Sequence, residues 1–211
     1  MVKKRTCTIY LYMEGGGNTN ALHTRFRQGM ISVLEKCGLK GMMPRVFSCG
    51  SRNDAFRDFR QAIKEEKDAV LLVDSESAVC EEYEYLPWHH LKARDNWDKP
   101  ANATDDQCHL MVQCMESWFL ADVETLKEYY GQNFNEKYFP KLGQDVESID
   151  KDQVNDKLEN ATRNCRKKGG YNKGNHSFDI QGKINPEKVK AASKWAARFF
   201  DTIKEKCDNK K

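Results

Sequence analysis

Four carboxylates stand where packing alone would not place a charge. Glu14 closes the apolar run Ile9-Tyr10-Leu11-Tyr12-Met13 and is followed by Gly15, Gly16 and Gly17. Asp74 and Glu76 close a second run, Val70-Leu71-Leu72-Val73, and Glu116 lies just beyond a third, Cys108 to Gln113. In open parallel sheets the ligand crevice lies beyond the carboxyl ends of the strands. Asp74 and Glu76 are two apart, so in an extended segment both side chains point the same way. Carboxylates that converge repel one another unless a cation neutralises them, and an all-oxygen set suits Mg²⁺ or Mn²⁺. Glu14 alone also reads as a rim charge, and Asp74 alone as a turn cap. The pair, on matched strand ends, is what points to a metal. Glu116 reads either as a further ligand, able to help hold a second ion, or as a carboxylate answering a helix dipole.

Groups that suit phosphate lie near these positions. Gly15 and Gly16 let a backbone approach an anion, and the helix that follows offers its N-terminus to one. Arg52, in Gly50-Ser51-Arg52-Asn53, ends another apolar run and can reach a phosphate from there, or remain a surface charge. Arg163, Arg166, Lys167, Lys168, Lys173 and His176 form a glycine-spaced basic cluster suited to a phosphate backbone. Between Trp88 and Lys99, aromatic and basic residues interleave, as in surfaces that stack on unpaired bases. Alternatively, Trp88 and Trp97 plug the sheet edge, and His89 and His90 are structural. The triple glycine lacks the third glycine of a dinucleotide fingerprint and the Gly-Lys-Ser/Thr of a P-loop.

The elements that must position these groups follow from periodicity. Thr6 to Met13, Pro44 to Ser48, Ala69 to Val73 and Cys108 to Gln113 read as strands. Asn18 to Cys37 reads as a helix stopped by Gly38, and a second helix capped by Asn53 or Asp54 buries Phe56, Phe59, Ala62 and Ile63. Strand, helix, strand, helix, strand at this spacing implies a parallel sheet. Ser75 to Thr104 shows no clean period. Asp105-Asp106 cap a short turn, and Asp122 caps a helix ended by Gly131. Lys151 to Arg163 is a polar helix, 164 to 185 a loop, and Pro186 starts one final helix faced by Ala191, Trp195, Phe199 and Ile203. The expected organisation is an α/β domain over 1–130 with a helical extension over 131–211 packed on it.

Composition sets outer bounds. The chain has 211 residues and a net charge of +3, so no global field argues for nucleic acid. The eight cysteines contain no C-x-x-C pair, which argues against a zinc knuckle. The basic start, Met1 to Arg5, leads into an apolar run that reaches Glu14 too soon for a signal peptide. No stretch approaches the ~20 apolar residues of a membrane span. A cytoplasmic chain with reduced thiols is the expectation, with Cys7 and Cys114 as small core residues.

Tyr12-Met13-Glu14-Gly15 and Leu72-Val73-Asp74-Ser75-Glu76, two crossovers apart, resemble the Toprim signature, with Glu76 in place of the commoner Asp. A closer resemblance covers nearly the whole chain. Glu14-Gly15-Gly16-Gly17, Gly50-Ser51-Arg52-Asn53, Pro87-Trp88-His89-His90-Leu91, Trp97-Asp98-Lys99-Pro100, Met115-Glu116-Ser117-Trp118-Phe119-Leu120-Ala121-Asp122 and Lys173-Gly174-Asn175-His176-Ser177-Phe178 are similar to an uncharacterised bacterial family related to RloB. RloB is a Toprim-like partner of an ABC-type ATPase in phage defence. The resemblance implies a Toprim-like parallel sheet with a helical C-terminal extension. It also implies Mg²⁺- or Mn²⁺-dependent hydrolysis of nucleic-acid phosphodiesters, with Glu14, Asp74 and Glu76 catalytic and metal-holding and Glu116 as a further ligand. Among the basic residues it favours Lys173 and His176. The alternatives are a non-catalytic sensor or regulatory partner of the ATPase, and a nucleotidyltransferase of primase type using the same carboxylates.

Overall fold

The computed structural model describes residues 7–208. Strands β1 (Tyr10–Met13), β2 (Arg45–Ser48), β3 (Ala69–Asp74) and β4 (Cys108–Met111) form one all-parallel sheet in the order β2-β1-β3-β4. Helix α1 (Asn20–Leu34) joins β1 to β2, and α2 (Arg52–Lys64) joins β2 to β3. Helix α3 (Pro87–Asp95) lies in the long connection to β4. After β4 come α4 (Ser117–Leu120), α5 (Val123–Tyr130), α6 (Lys151–Thr162), α7 (Lys173–Gln181), α8 (Pro186–Ala192) and α9 (Lys194–Asp208). The expected α/β architecture, a parallel sheet flanked by helices with a helical C-terminal region, is the one observed, consistent with a Toprim-like arrangement.

All six residues of β3 are buried, as a strand covered on both faces requires. Alternate residues feed two cores. Leu11, Met13, Val70, Leu72 and Met111 pack with Phe26 and Met30 of α1, Phe178 of α7, and Phe199 and Ile203 of α9. Tyr12, Leu71, Val73 and Leu110 pack with Phe56 and Phe59 of α2, Trp88 and Leu91 of α3, and Trp195. The first core therefore draws on both sides of the expected boundary at residue 130, because α9 packs on β4 and α7 packs on α1.

Several local expectations are corrected. Ser51, not Asn53 or Asp54, caps α2 by accepting from the Asp54 amide at 3.1 Å. Thr104, in a capping box with Gln107, caps the short turn that Asp105-Asp106 were expected to cap. The stretch 164–185 is not a plain loop: Asn172 caps α7 within it. The final helix is two, because Ser193 turns extended and its hydroxyl accepts from the Ala196 amide to start α9. The cysteine expectation also changes. Cys7 is joined to Cys207, which ties the approach to β1 to the end of α9. Thr6 and the basic start lie outside the described residues. Among the described residues no helix is long and apolar enough to cross a membrane.

Candidate metal centre

The backbone brings the strand ends into one crevice. Met13 pairs with Leu72, so β1 and β3 end almost level, and Asp74 pairs with Met111 of β4. Gly15 and Gly50 exchange both amide hydrogen bonds at 2.9 Å, clamping the turn after β1 to the turn after β2. Glycine is needed at 16: its φ is +99° and a Cβ there would collide with the Ser48 hydroxyl. Glu14 and Arg52 are thereby delivered to the same place from two strands.

Ligand oxygens of Glu14, Asp74 and Glu76 all lie within 4.8 Å of one another. Glu14 accepts from the Asp74 amide at 3.1 Å, and Asp74 accepts from the Met115 amide at 2.8 Å. Glu76 does not arrive by the extended spacing that the sequence suggested. Its φ is +67°, in the left-handed region that costs a side chain energy, and its amide donates to the Gln113 carbonyl at 2.8 Å. The chain therefore turns at Glu76, and the turn aims the carboxylate back at Asp74.

Burial and like charge govern the protonation of this group. Burial, then the neighbouring Glu14 and Glu116, hold the Asp74 carboxyl well above its ordinary value. Burial also raises Glu14, opposed by the charge of Arg52 and the hydrogen bond from the Asp74 amide. Burial pushes Glu76 upward too, but the hydrogen bond and charge of Lys151 outweigh it and leave this carboxyl below its usual range. Three carboxylates this close, two of them resisting ionisation, are a donor set that a divalent cation fits.

Cations ring the crevice. Arg52 pairs with Asp95 at 2.7 Å and Glu14 at 3.4 Å, donates to the Asp74 carbonyl, and lies 4.9 Å from the Trp97 ring centre. Lys151, the first residue of α6, meets Glu76 at 2.6 Å. Lys173, the first residue of α7, meets Glu116 at 3.1 Å.

The expected site residues thus divide. Glu14, Asp74 and Glu76 converge, with Gly15, Gly16, Arg52 and Lys173 around them. Glu116 is buried beside Asp74 but held by Lys173, with the Tyr171 and Ser177 hydroxyls at 3.3 and 3.5 Å, and it is not one of the clustered three. His176 is not at the crevice mouth. It packs on Tyr129 and Tyr130 and bonds the Tyr129 hydroxyl at 3.1 Å. Arg163 and Arg166 line a different cavity, and Lys168 lies over Tyr129. Trp88 and Trp97 cover α2, with Trp97 stacked on Phe56 at 4.2 Å. His90 bonds the Ser75 carbonyl and steadies the turn after β3. Lys151 and Asp95 carry no local signal in the sequence: each gains its role from a partner dozens of residues away.

A family model matches residues 13–204 and is described as a domain of unknown function, DUF4276. The chain belongs to that family. No curated protein and no solved structure matches it. The match begins at Met13 and takes in every residue of the crevice.

Proposed function

We propose that the chain is a divalent-metal-dependent phosphodiesterase acting on nucleic acid. The observation that supports it most is the convergence of Glu14, Asp74 and Glu76 from two strand ends, with Arg52, Lys151 and Lys173 around them. The chemistry that Mg²⁺ or Mn²⁺ supplies in such a site is polarisation of a phosphoryl oxygen and a more acidic water. Glu14, Asp74 and Glu76 would hold the ion. Arg52 is fixed from two sides by Asp95 and Glu14, so its position is set before a substrate arrives. Lys151 and Lys173 start their helices, where amide donors and the ammonium together favour an anion. These cations orient the phosphate and stabilise charge that develops on it. The resemblance to the RloB-related family extends the proposal to an ABC-type ATPase partner and a role in phage defence.

The test is incubation of the purified chain, with and without such an ATPase, on single- and double-stranded DNA and transfer RNA with Mg²⁺ or Mn²⁺. Wild type should cleave at least one substrate and Glu14→Gln none. Identical behaviour of the two proteins on every substrate rejects the reading. A second reading, a non-catalytic regulatory partner, is favoured by one observation: Arg52, Lys151 and Lys173 pair with Glu14, Glu76 and Glu116, so the chain supplies each of these carboxylates with a cation of its own. Anomalous scattering from Mn²⁺-soaked crystals, with density among Glu14, Asp74 and Glu76, would count against that second reading.

A further inference from the structure

The crevice has a second wall that is not acidic. A cavity of about 300 Å³ opens beside Glu14, Asp74 and Lys173. Its apolar lining is Leu22, Phe26, Met115 and Phe178. Phe178 meets Phe26 edge to face at 5.3 Å, so the two rings brace each other. A metal site and its phosphate need no such apolar chamber. The volume is at the lower end for a small-ligand site.

Gly174 points the same way. It lies in the first turn of α7 and lines the cavity. Its φ is not positive, and a Cβ would meet only the Asn172 side-chain oxygen, at an ordinary 3.6 Å. Neither backbone nor neighbours require glycine there, although glycine disfavours a helix relative to alanine. The missing side chain leaves the cavity lining at 174 to backbone alone.

We propose that this cavity is a base subsite, taking the unpaired heterocycle of a nucleoside monophosphate unit whose phosphate lies against Lys173 at the acidic end. The phosphate end rests on the phosphodiesterase reading; the apolar end stands on the cavity itself. The base must be out of a duplex to enter, so the substrate is single-stranded, flipped or a free nucleotide. Phe178 supplies the stacking surface, and stacking of one base gives roughly tenfold or more in affinity.

The experiment measures base dependence in two formats, with and without Mn²⁺. One compares AMP with ribose 5-phosphate by calorimetry. The other compares a single-stranded oligothymidylate with its abasic counterpart by anisotropy. Wild type should prefer the base-bearing ligand about tenfold or more in at least one format, and Gly174→Leu should abolish that preference. A preference with AMP assigns a free nucleotide; one confined to the oligonucleotide assigns a unit within a strand. Phe178→Leu, which keeps the wall apolar, should weaken the preference while melting close to wild type. Equal affinity in both formats, a preference untouched by Gly174→Leu, or tighter binding of blunt duplex than of single strand overturns the proposal. The arms with and without Mn²⁺ separate the two readings: the base preference should be present in both, because the apolar lining holds no metal ligand. A preference that persists where Mn²⁺ has no effect even on wild type would sink the metal reading alone.

Discussion

Asp74 and Asp122 are both buried aspartates that follow an apolar stretch, and they sit in opposite circumstances. Asp122 accepts from the Thr125 amide and hydroxyl, from the Asn185 amide at 2.8 Å and from Lys188 at 2.8 Å. Burial pushes its carboxyl upward, but the bonds from Lys188, Thr125 and Asn185 outweigh that and leave it below its ordinary value. Among the described residues the Asp74 carboxylate accepts one hydrogen bond, from the Met115 amide, and faces Glu14, Glu76 and Glu116. One carboxylate is saturated by donors and joins α5 to α8. The other is crowded by its own kind. A charge that the fold satisfies completely is structural; a charge that the fold leaves frustrated invites something from outside.

The largest test of this contrast is activity. Glu14→Gln and Asp74→Asn should each lower phosphodiester cleavage by roughly 10³-fold or more, whereas Asp122→Asn should leave turnover per folded molecule within about twofold of wild type. Stability should rank the two aspartates the other way. Asp122→Ala strands the Thr125 and Asn185 amides, takes from Lys188 one of its two carboxylates, and should cost about 1–3 kcal/mol in denaturant unfolding. An intermediate effect comes from the ion. Saturating Mn²⁺ at about 100 times its Kd should stabilise wild type by about 2.7 kcal/mol, and Asp74→Asn should show no such gain. Without metal, Asp74→Asn should itself be more stable than wild type by about 0.5–2 kcal/mol, as removal of functional frustration often is. A destabilised Asp74→Asn would place Asp74 in the same class as Asp122.

The smallest effect is on pH. Asp122 has a folded value below its unfolded one, near 3.8, so its contribution is complete above that pH and is lost as pH falls through the folded value. His109 is buried on β4, and burial, then the charge of Arg198, lower it well below its ordinary 6.5. Below pH 6.5 the unfolded chain takes up that proton and the folded chain does not, so stability declines with falling pH there. His109→Gln should flatten the decline between about pH 6.5 and 5, and Asp122→Asn should leave that window unchanged.

Much of this was legible in the sequence, for identifiable reasons. The strands announced themselves because each is an apolar run bounded by glycine or carboxylate, and Glu14 and Asp74 stood out against those runs. Asp122 declared its capping role by preceding Val123 to Tyr130 with Gly131 behind it. Helix α7 was hidden because Lys173, Gly174 and Asn175 spend its first turn on polarity and glycine, leaving Phe178 and Ile180 as the only apolar signal. Lys151 was hidden because its partner is 75 residues away. His176 was misleading for the opposite reason: a histidine among basic residues suggests an anion, but its ring is held by Tyr129 and Tyr130. Glu76 lay between: it stands with Glu14 and Asp74, but is delivered by a left-handed turn instead of an extended strand.

The parallel sheet has one further consequence. Glu14 and the Asp74 amide are 60 residues apart, Lys151 and Glu76 75 apart, and Lys173 and Glu116 57 apart. No two of these partners can meet before long loops have closed, and contacts at such separation form late in folding. The carboxylate cluster is therefore a product of the finished topology and not a seed for it. An ion held by Glu14, Asp74 and Glu76 should slow unfolding while leaving the refolding rate unchanged, so added Mn²⁺ would read when the ends of β1 and β3 have come together.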